Sequence, residues 1–253
     1  VQQPTTAVIL AAGMGLRLRD VHQGAPKGLL RINGETLSER SLRLLRQAGM
    51  QRIVLVTGYE AGDYAALSER WPELQLVHNP GFATNGSMAS LAYALEVLGA
   101  AEPFLLLESD LFYEARALDL LLGEAPDVML ISGPTGAGDE VWVHAPDDRL
   151  VALSKDATEL PNVQGELVGI CRISAALGQA MAQQFADHVR EYGHARMCYE
   201  TDALVAAAQT HPVAVHLEPN LLWGEIDDPA HYRRVSEHLA PQIQRLEAAK
   251  RDA

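Results

Sequence analysis

Apolar residues fall into two rhythms along the first half of the chain. Short runs over 7–10, 53–57, 75–78, 104–107 and 128–131 have the length and composition of buried strands. Between them, 37–48, 64–70, 87–98 and 118–122 carry helical spacing. In the first of these, Ser41, Leu44, Leu45 and Ala48 share one stripe, and Gly49 is placed as a stop. Such alternation predicts an α/β fold: a Rossmann-like, mostly parallel sheet with helices on both faces. From Gly133 the rhythm changes. Short strands over 141–144, 150–154 and 167–173, with a turn at Pro146-Asp147-Asp148, predict a small antiparallel β insert. Helices over 175–188 and 202–208, a strand over 213–217 and a closing helix over 229–249 complete the pattern. Asp227 or Asp228 would cap that last helix and Pro241 would kink it. With no repeat or linker, one domain over 1–253 is expected, in three parts: 1–132, 133–228 and 229–253.

Composition narrows the classes. The chain has 253 residues, 48% hydrophobic and 21% charged, which excludes disordered and collagen-like readings. No apolar run approaches the roughly 18 residues that span a bilayer, so no membrane partner is expected. The run at 8–10 is too short for the apolar core of a signal peptide. Cys171 and Cys198 lack zinc-site spacing, and a cytoplasmic location is the expectation. Twenty Lys plus Arg against 33 Asp plus Glu give a net charge of −13. Such a surface repels phosphate backbones, so nucleic acid is not an expected partner. A small anion needs only local cations and backbone amides and remains open. The histidines show no H-x-x-x-H spacing and there is no G-x-S-x-G elbow, so nothing supports covalent chemistry.

Those local cations stand in a glycine-rich loop after the first strand. Leu10-Ala11-Ala12-Gly13-Met14-Gly15-Leu16-Arg17 lets backbone come close to a ligand and turns N–H groups toward an anion. Arg17 and Lys27 add charge suited to phosphate; the alternative is a plain glycine turn with solvated basic residues. Two phosphate loops fail on inspection. G-x-G-x-x-G needs a third glycine where Leu18 stands, and a Walker loop needs Ser or Thr where Gly28 follows Lys27. The stretch 10–18 followed by Pro26-Lys27 instead resembles the signature of the nucleotidyltransferase superfamily, L-A-A-G-x-G-x-R-L with P-K further on.

That resemblance runs over essentially the whole chain and is nearest to the small CTP-dependent cytidylyltransferases that charge 2-aminoethylphosphonate or phosphocholine. Asn79-Pro80-Gly81-Phe82, Asn85-Gly86-Ser87 and Ser90-Leu91 resemble their base-reading segment, which implies Asn85, Ser87 and Ser90 at the nucleotide beside residues 10–15. Glu108-Ser109-Asp110 and Trp223-Gly224-Glu225-Ile226-Asp227 match the two acidic positions that hold Mg²⁺ in the family. The resemblance thus implies Asp110 and Asp227 as metal ligands, with Lys27 and Arg17 completing the catalytic set. On this reading 1–132 binds nucleotide and 133–228 binds the acceptor.

Several residues admit a plainer reading. Asp110 follows four apolar residues and should stand at the carboxyl end of a buried strand, where ligands gather in α/β sheets. It could equally cap a helix starting at Leu111. Only the resemblance prefers Asp227 over Asp228. Asn85, Ser87 and Ser90 are also good caps. On the acceptor side, Glu140, Lys155, Glu166, Tyr199, Glu200 and Asp202 are candidates, as is Trp142, with a polar or core strand face as the alternative. The phosphocholine enzymes carry tryptophan directly after the glutamate equivalent to Glu140. Here that position is Val141, and Trp142, one step along a strand, points to the other face. This disfavours a cage for a quaternary ammonium and favours a primary amine. The expected function is transfer of CMP from CTP to such an acceptor with release of pyrophosphate, using Mg²⁺. A sugar-1-phosphate uridylyl- or thymidylyltransferase and a non-catalytic nucleotide-sensing module are the rivals. A homodimer is one of the open arrangements.

Overall fold

The computed structural model describes residues 3–18, 24–99, 102–123, 125–196 and 199–251, so Cys198 and positions 19–23 of the glycine-rich loop lie outside the described residues. Its centre is a nine-stranded mixed sheet. β1 (Thr6–Ala11) lies between β4 (Arg52–Thr57) and β6 (Phe104–Glu108), parallel to both, and β5 (Leu74–His78) extends the sheet beyond β4. The chain therefore builds outward on one side of β1 and returns to pair on the other. In such sheets the reversal opens a crevice at the carboxyl ends of the central strands.

Alternation explains why these strands read as continuous apolar runs. Ala7, Ile9, Ile53, Leu55, Leu105 and Leu107 feed one core layer. Their neighbours Val8, Leu10, Val54, Val56, Phe104 and Leu106 feed the layer on the opposite face. Helix α1 (Leu37–Gln47) covers the first layer through Leu42, Leu44 and Leu45. It starts at a capping box: Thr36 Oγ1 accepts from the Glu39 amide at 3.1 Å, and Glu39 Oε2 accepts from the Thr36 amide at 3.0 Å. α2 (Ala65–Arg70) follows a 3₁₀ turn, and α3 (Ser87–Leu98) covers the second layer through Met88, Leu91 and Ala94.

The strands expected after Gly133 are hydrogen-bonded into this same sheet. β9 (Trp142–His144) and β10 (Ala152–Ser154) form its far edge, and β11 (Gly165–Ile173) runs antiparallel to β6, β8 (Val128–Ser132) and β9. β12 (Ala214–Glu218) adds parallel to β8. Two small antiparallel pairs stand apart from the sheet. One joins β2 (Arg31–Ile32) with β3 (Glu35–Thr36), and the other β7 (Leu111–Tyr113) with β13 (Trp223–Glu225). Leu111 therefore begins a strand, which removes the alternative of Asp110 as a helix cap.

Helices α4 (Arg116–Leu122), α5 (Ala175–Tyr192) and α6 (Glu200–Ala208) pack on the sheet faces. The closing helix is not simply kinked. α7 (Pro229–Arg234) passes through a π-helical turn over Val235–Leu239 into α8 (Ala240–Arg251). Pro241 has no N–H to give and its ring crowds the preceding turn, and the wider π turn accommodates both. Among the described residues no helix is long and apolar enough to cross a membrane.

Candidate active site

A cleft of about 580 Å³ opens at the carboxyl ends of β1 and β6. Past Ala11 the backbone leaves the sheet, turns through Gly15 at φ +56° and enters a 3₁₀ turn over Leu16–Leu18. A Cβ at Gly13 would meet nothing within 4 Å, so the loop faces open space there. Leu10, Ala11, Ala12, Gly13 and Gly15 all line the cleft; Met14, expected with them, does not.

The charged centre brings together residues from four places in the chain. Lys27 Nζ donates to Asp110 Oδ2 at 2.9 Å and also to Asp227 Oδ1. Arg17 donates to the other Asp227 oxygen at 2.7 Å. Burial works against the Lys27 ammonium, but the two aspartates outweigh it and raise its pKa above the ordinary lysine value. For Asp227, burial is likewise overcome by Lys27 and Arg17, and its carboxyl stays below the usual range. Asp228 faces away and caps α7, accepting from the Ala230 and His231 amides at 2.7 and 2.9 Å. That geometry separates the two neighbouring aspartates, which spacing alone did not.

More carboxylates surround this centre than the motifs had singled out. Glu108, Asp110 and Glu225 each offer an oxygen within 4.8 Å of the others, and so do Asp139, Glu225 and Asp227. Burial first, then Asp110 and Asp227, push Glu225 up to about 9. Asp110 Oδ1 is buried with no hydrogen-bond partner among the described residues. Convergent carboxylates with one orphaned oxygen are the hard donor set that a divalent ion such as Mg²⁺ takes, so the residues present fit one. Glu108 and Glu225 stand two positions before Asp110 and Asp227 at strand ends, and period two would have placed them on the same face.

On the base-reading side, α3 is capped by Gly86 with no side-chain bond, so Asn85 and Ser87 are not its caps. Asn79, fully buried, donates to Ser90 Oγ at 3.0 Å and accepts from the Gly81 amide at 2.9 Å, which shapes the loop beneath Asn85. Ser87 Oγ accepts from the Glu200 amide at 3.0 Å and so ties α3 to α6. Asn85, Ser87 and Ser90 all line the cleft, and Phe82 joins them.

Glu140, Lys155, Glu166, Tyr199, Glu200 and Asp202 line the same cleft. Glu166 accepts at both oxygens from Thr135, from the amide at 2.5 Å and the hydroxyl at 2.9 Å. Asp202 accepts from the Tyr199 amide at 2.9 Å. Tyr199 is exposed at the mouth, with Lys155 Nζ 6.0 Å from its ring centroid. Deeper in, burial first and then the charges of Glu200, Glu225 and Asp110 raise the Glu108 carboxyl well above its ordinary range. Val141 lines the cleft and Trp142 does not; Trp142 pairs in register with Glu166 and Ser154.

Comparison with known proteins places the chain in a family. A 2-aminoethylphosphonate cytidylyltransferase of Lancefieldella rimae is 28% identical over 207 residues, 78% of each chain. A choline-phosphate cytidylyltransferase of Haemophilus influenzae is 39% identical over 88 residues, 35% of this chain and 37% of that one. Among solved structures, the CTP:phosphocholine cytidylyltransferase from Streptococcus pneumoniae superposes with a TM-score of 0.77 at 21% identity, covering 92% of this chain and 97% of its own. The inositol-1-phosphate CTP transferase from T. maritima gives 0.78 at 22%, covering 96% and 97%. Those two show a shared fold. The model of the MobA-like NTP transferase domain matches residues 7–251, and the chain, a nucleotidyltransferase, belongs to that family.

Proposed function

We propose that the chain is a cytidylyltransferase that transfers CMP from CTP to a small amine-bearing phosphonate or phosphate, with 2-aminoethylphosphonate favoured over phosphocholine. The observation that carries this reading is Lys27, held between Asp110 and Asp227 beside the glycine-rich loop. An acceptor oxygen attacks the α-phosphorus in line. The new P–O bond forms as the α–β bridging bond breaks, and pyrophosphate leaves with the electron pair. The attacking group is already an anion near neutral pH, so the site needs alignment and charge neutralisation more than a strong base. Lys27 neutralises charge developing at the α-phosphate. Arg17 and the amides of residues 10–15 hold the departing phosphates, while Asn85, Ser87 and Ser90 face the base.

Asp110 and Asp227 would hold Mg²⁺, which when bound supplies further neutralisation at the reacting phosphates. Glu200, with Glu108 behind it, and Glu140 offer carboxylate oxygens to the acceptor's N–H donors. Val141 in the lining leaves no tryptophan face at that position for a trimethylammonium. The similar cytidylyltransferases support the nucleotide and the acceptor class. Pyrophosphate release with each of four nucleoside triphosphates against 2-aminoethylphosphonate, phosphocholine and glucose 1-phosphate tests the reading. Turnover should require CTP and an amine-bearing acceptor. Preference for UTP or dTTP with the sugar phosphate overturns it, as does CTP binding without turnover on any acceptor.

A further inference from the structure

One cleft residue was invisible in the motifs: Arg234, on α7, seven positions beyond Asp227. Its Nε is buried without a hydrogen-bond partner, and among the described residues no carboxylate forms an ion pair with it. Its charge offsets a small part of the burial that raises the Glu166 pKa, and no salt bridge joins the two side chains among the described residues. Two features hold Arg234 in place. A Cβ at Gly224 would lie 3.0 Å from its Nη2, so a side chain there would crowd the guanidinium and shift it by a few tenths of an ångström. The π-helical turn begins at the next residue, Val235, and such turns recur at functional sites because they re-aim side chains.

Charge balance gives this position its meaning. Among the described residues nine carboxyl groups line the cleft against four cations, and the acidic groups outnumber the basic ones even with the raised Glu108 and Glu225 set aside. Arg17 and Lys27 are already engaged with aspartates, and Lys155 is exposed at the mouth. An acceptor carrying a phosphonate or phosphate dianion must enter this acidic space, and a carboxylate-rich wall repels it unless a cation meets it. Arg234 stands against Gly224 of β13, and its charge is felt at Glu166 of β11, a residue on the acceptor side of the sequence reading. A planar guanidinium with a free edge matches two oxygens of such a group.

We infer that Arg234 binds the phosphonate or phosphate of the acceptor and sets the enzyme's requirement for an anionic acceptor. This rests on the proposed acceptor class. The test is steady-state kinetics with CTP and 2-aminoethylphosphonate on the wild type, Arg234→Met, Arg234→Lys and Gly224→Ala. Losing a charge-assisted hydrogen bond should raise the acceptor KM about tenfold or more in Arg234→Met, with the CTP KM within about twofold of wild type. Arg234→Lys should recover part of that loss. Gly224→Ala, which keeps the charge but displaces it, should show the same split, and it remains informative if Arg234→Met does not fold. An unchanged acceptor KM, or an equal rise in both KM values, overturns the inference while wild-type turnover leaves the proposed function standing. Absence of wild-type turnover with any phosphonate or phosphate acceptor overturns both.

Discussion

Lys27 Nζ donates to Asp110 Oδ2 at 2.9 Å, joining residues 83 positions apart at the ends of two different loops. Both side chains are largely shielded from water, at 16% and 14% exposure. An ammonium in such a place acts with little dielectric screening, and it is held ready before any ligand arrives. Lys27→Ala should therefore cut turnover by about 10²-fold or more, with an unchanged circular dichroism spectrum. Wild-type turnover in a folded Lys27→Ala protein would remove Lys27 from the mechanism.

Asp110 and Asp227 act on the same cation and are expected to work as one unit. Asp110→Asn and Asp227→Asn should each abolish Mg²⁺-dependent turnover, and the double variant should be little worse than either single one, because groups acting together are non-additive. Thermal-shift titration of CTP with and without Mg²⁺ provides the second readout. Identical Mg²⁺ dependence in wild type and all three variants counts against a two-carboxylate site.

The acceptor preference follows from the cleft lining. A desolvated cation–π contact is worth about 2 kcal/mol, and Val141, not a tryptophan, lines the cleft after Glu140. Trimethylation also removes every N–H donor from the amine. kcat/KM for 2-aminoethylphosphonate should exceed that for phosphocholine by more than about tenfold. Equal values, or the reverse order, reject the primary-amine assignment and leave the nucleotide assignment untouched.

Gly58 lies where β4 leaves the sheet, and a Cβ there would come 2.5 Å from Phe82 Cβ and 2.6 Å from the Ala12 carbonyl oxygen. One methyl group would thus wedge the glycine-rich loop away from the segment under the base. Gly58→Ala should cost about 1–3 kcal/mol of stability, as overpacking does, and raise the CTP KM more than the acceptor KM. An unaltered CTP KM would show that the two segments need not touch.

Glu39 links the start of α1 to Arg70. Burial raises its pKa, but the Thr36 amide and hydroxyl and the Arg70 guanidinium outweigh this and hold it below the ordinary value of 4.5. A depressed folded pKa means that the ionised form stabilises the fold at neutral pH, and this stabilisation is lost as pH falls through the folded value. Glu39→Gln should lower Tm at pH 7, and the difference from wild type should shrink steadily below about pH 4.5. A Tm difference independent of pH would assign the effect to the capping hydrogen bonds alone.

Much of the architecture was legible in the linear pattern, because burial on both faces imposes unbroken apolar runs and helices impose their own period. The runs at 53–57 and 104–107 match β4 and β6 to within a residue, and 87–98 matches α3. Small residues after β1 likewise made an open glycine-rich turn legible, since close backbone approach demands particular residue types. The strands after Gly133 are legible as strands, whereas their pairing into the central sheet is not. Alternation along a strand says nothing about which edge it joins, and β11 found its partner in β6, more than fifty residues earlier. The choice of Asp227 over Asp228 belongs to the tertiary structure too. Two adjacent carboxylates are equivalent in sequence until one caps α7 and the other meets Lys27. Arg234 makes the same point most sharply. A guanidinium on a helix looks like solvated surface in any linear reading, and only the packing of α7 against Gly224 and the π turn that follows bring its charge into the cleft.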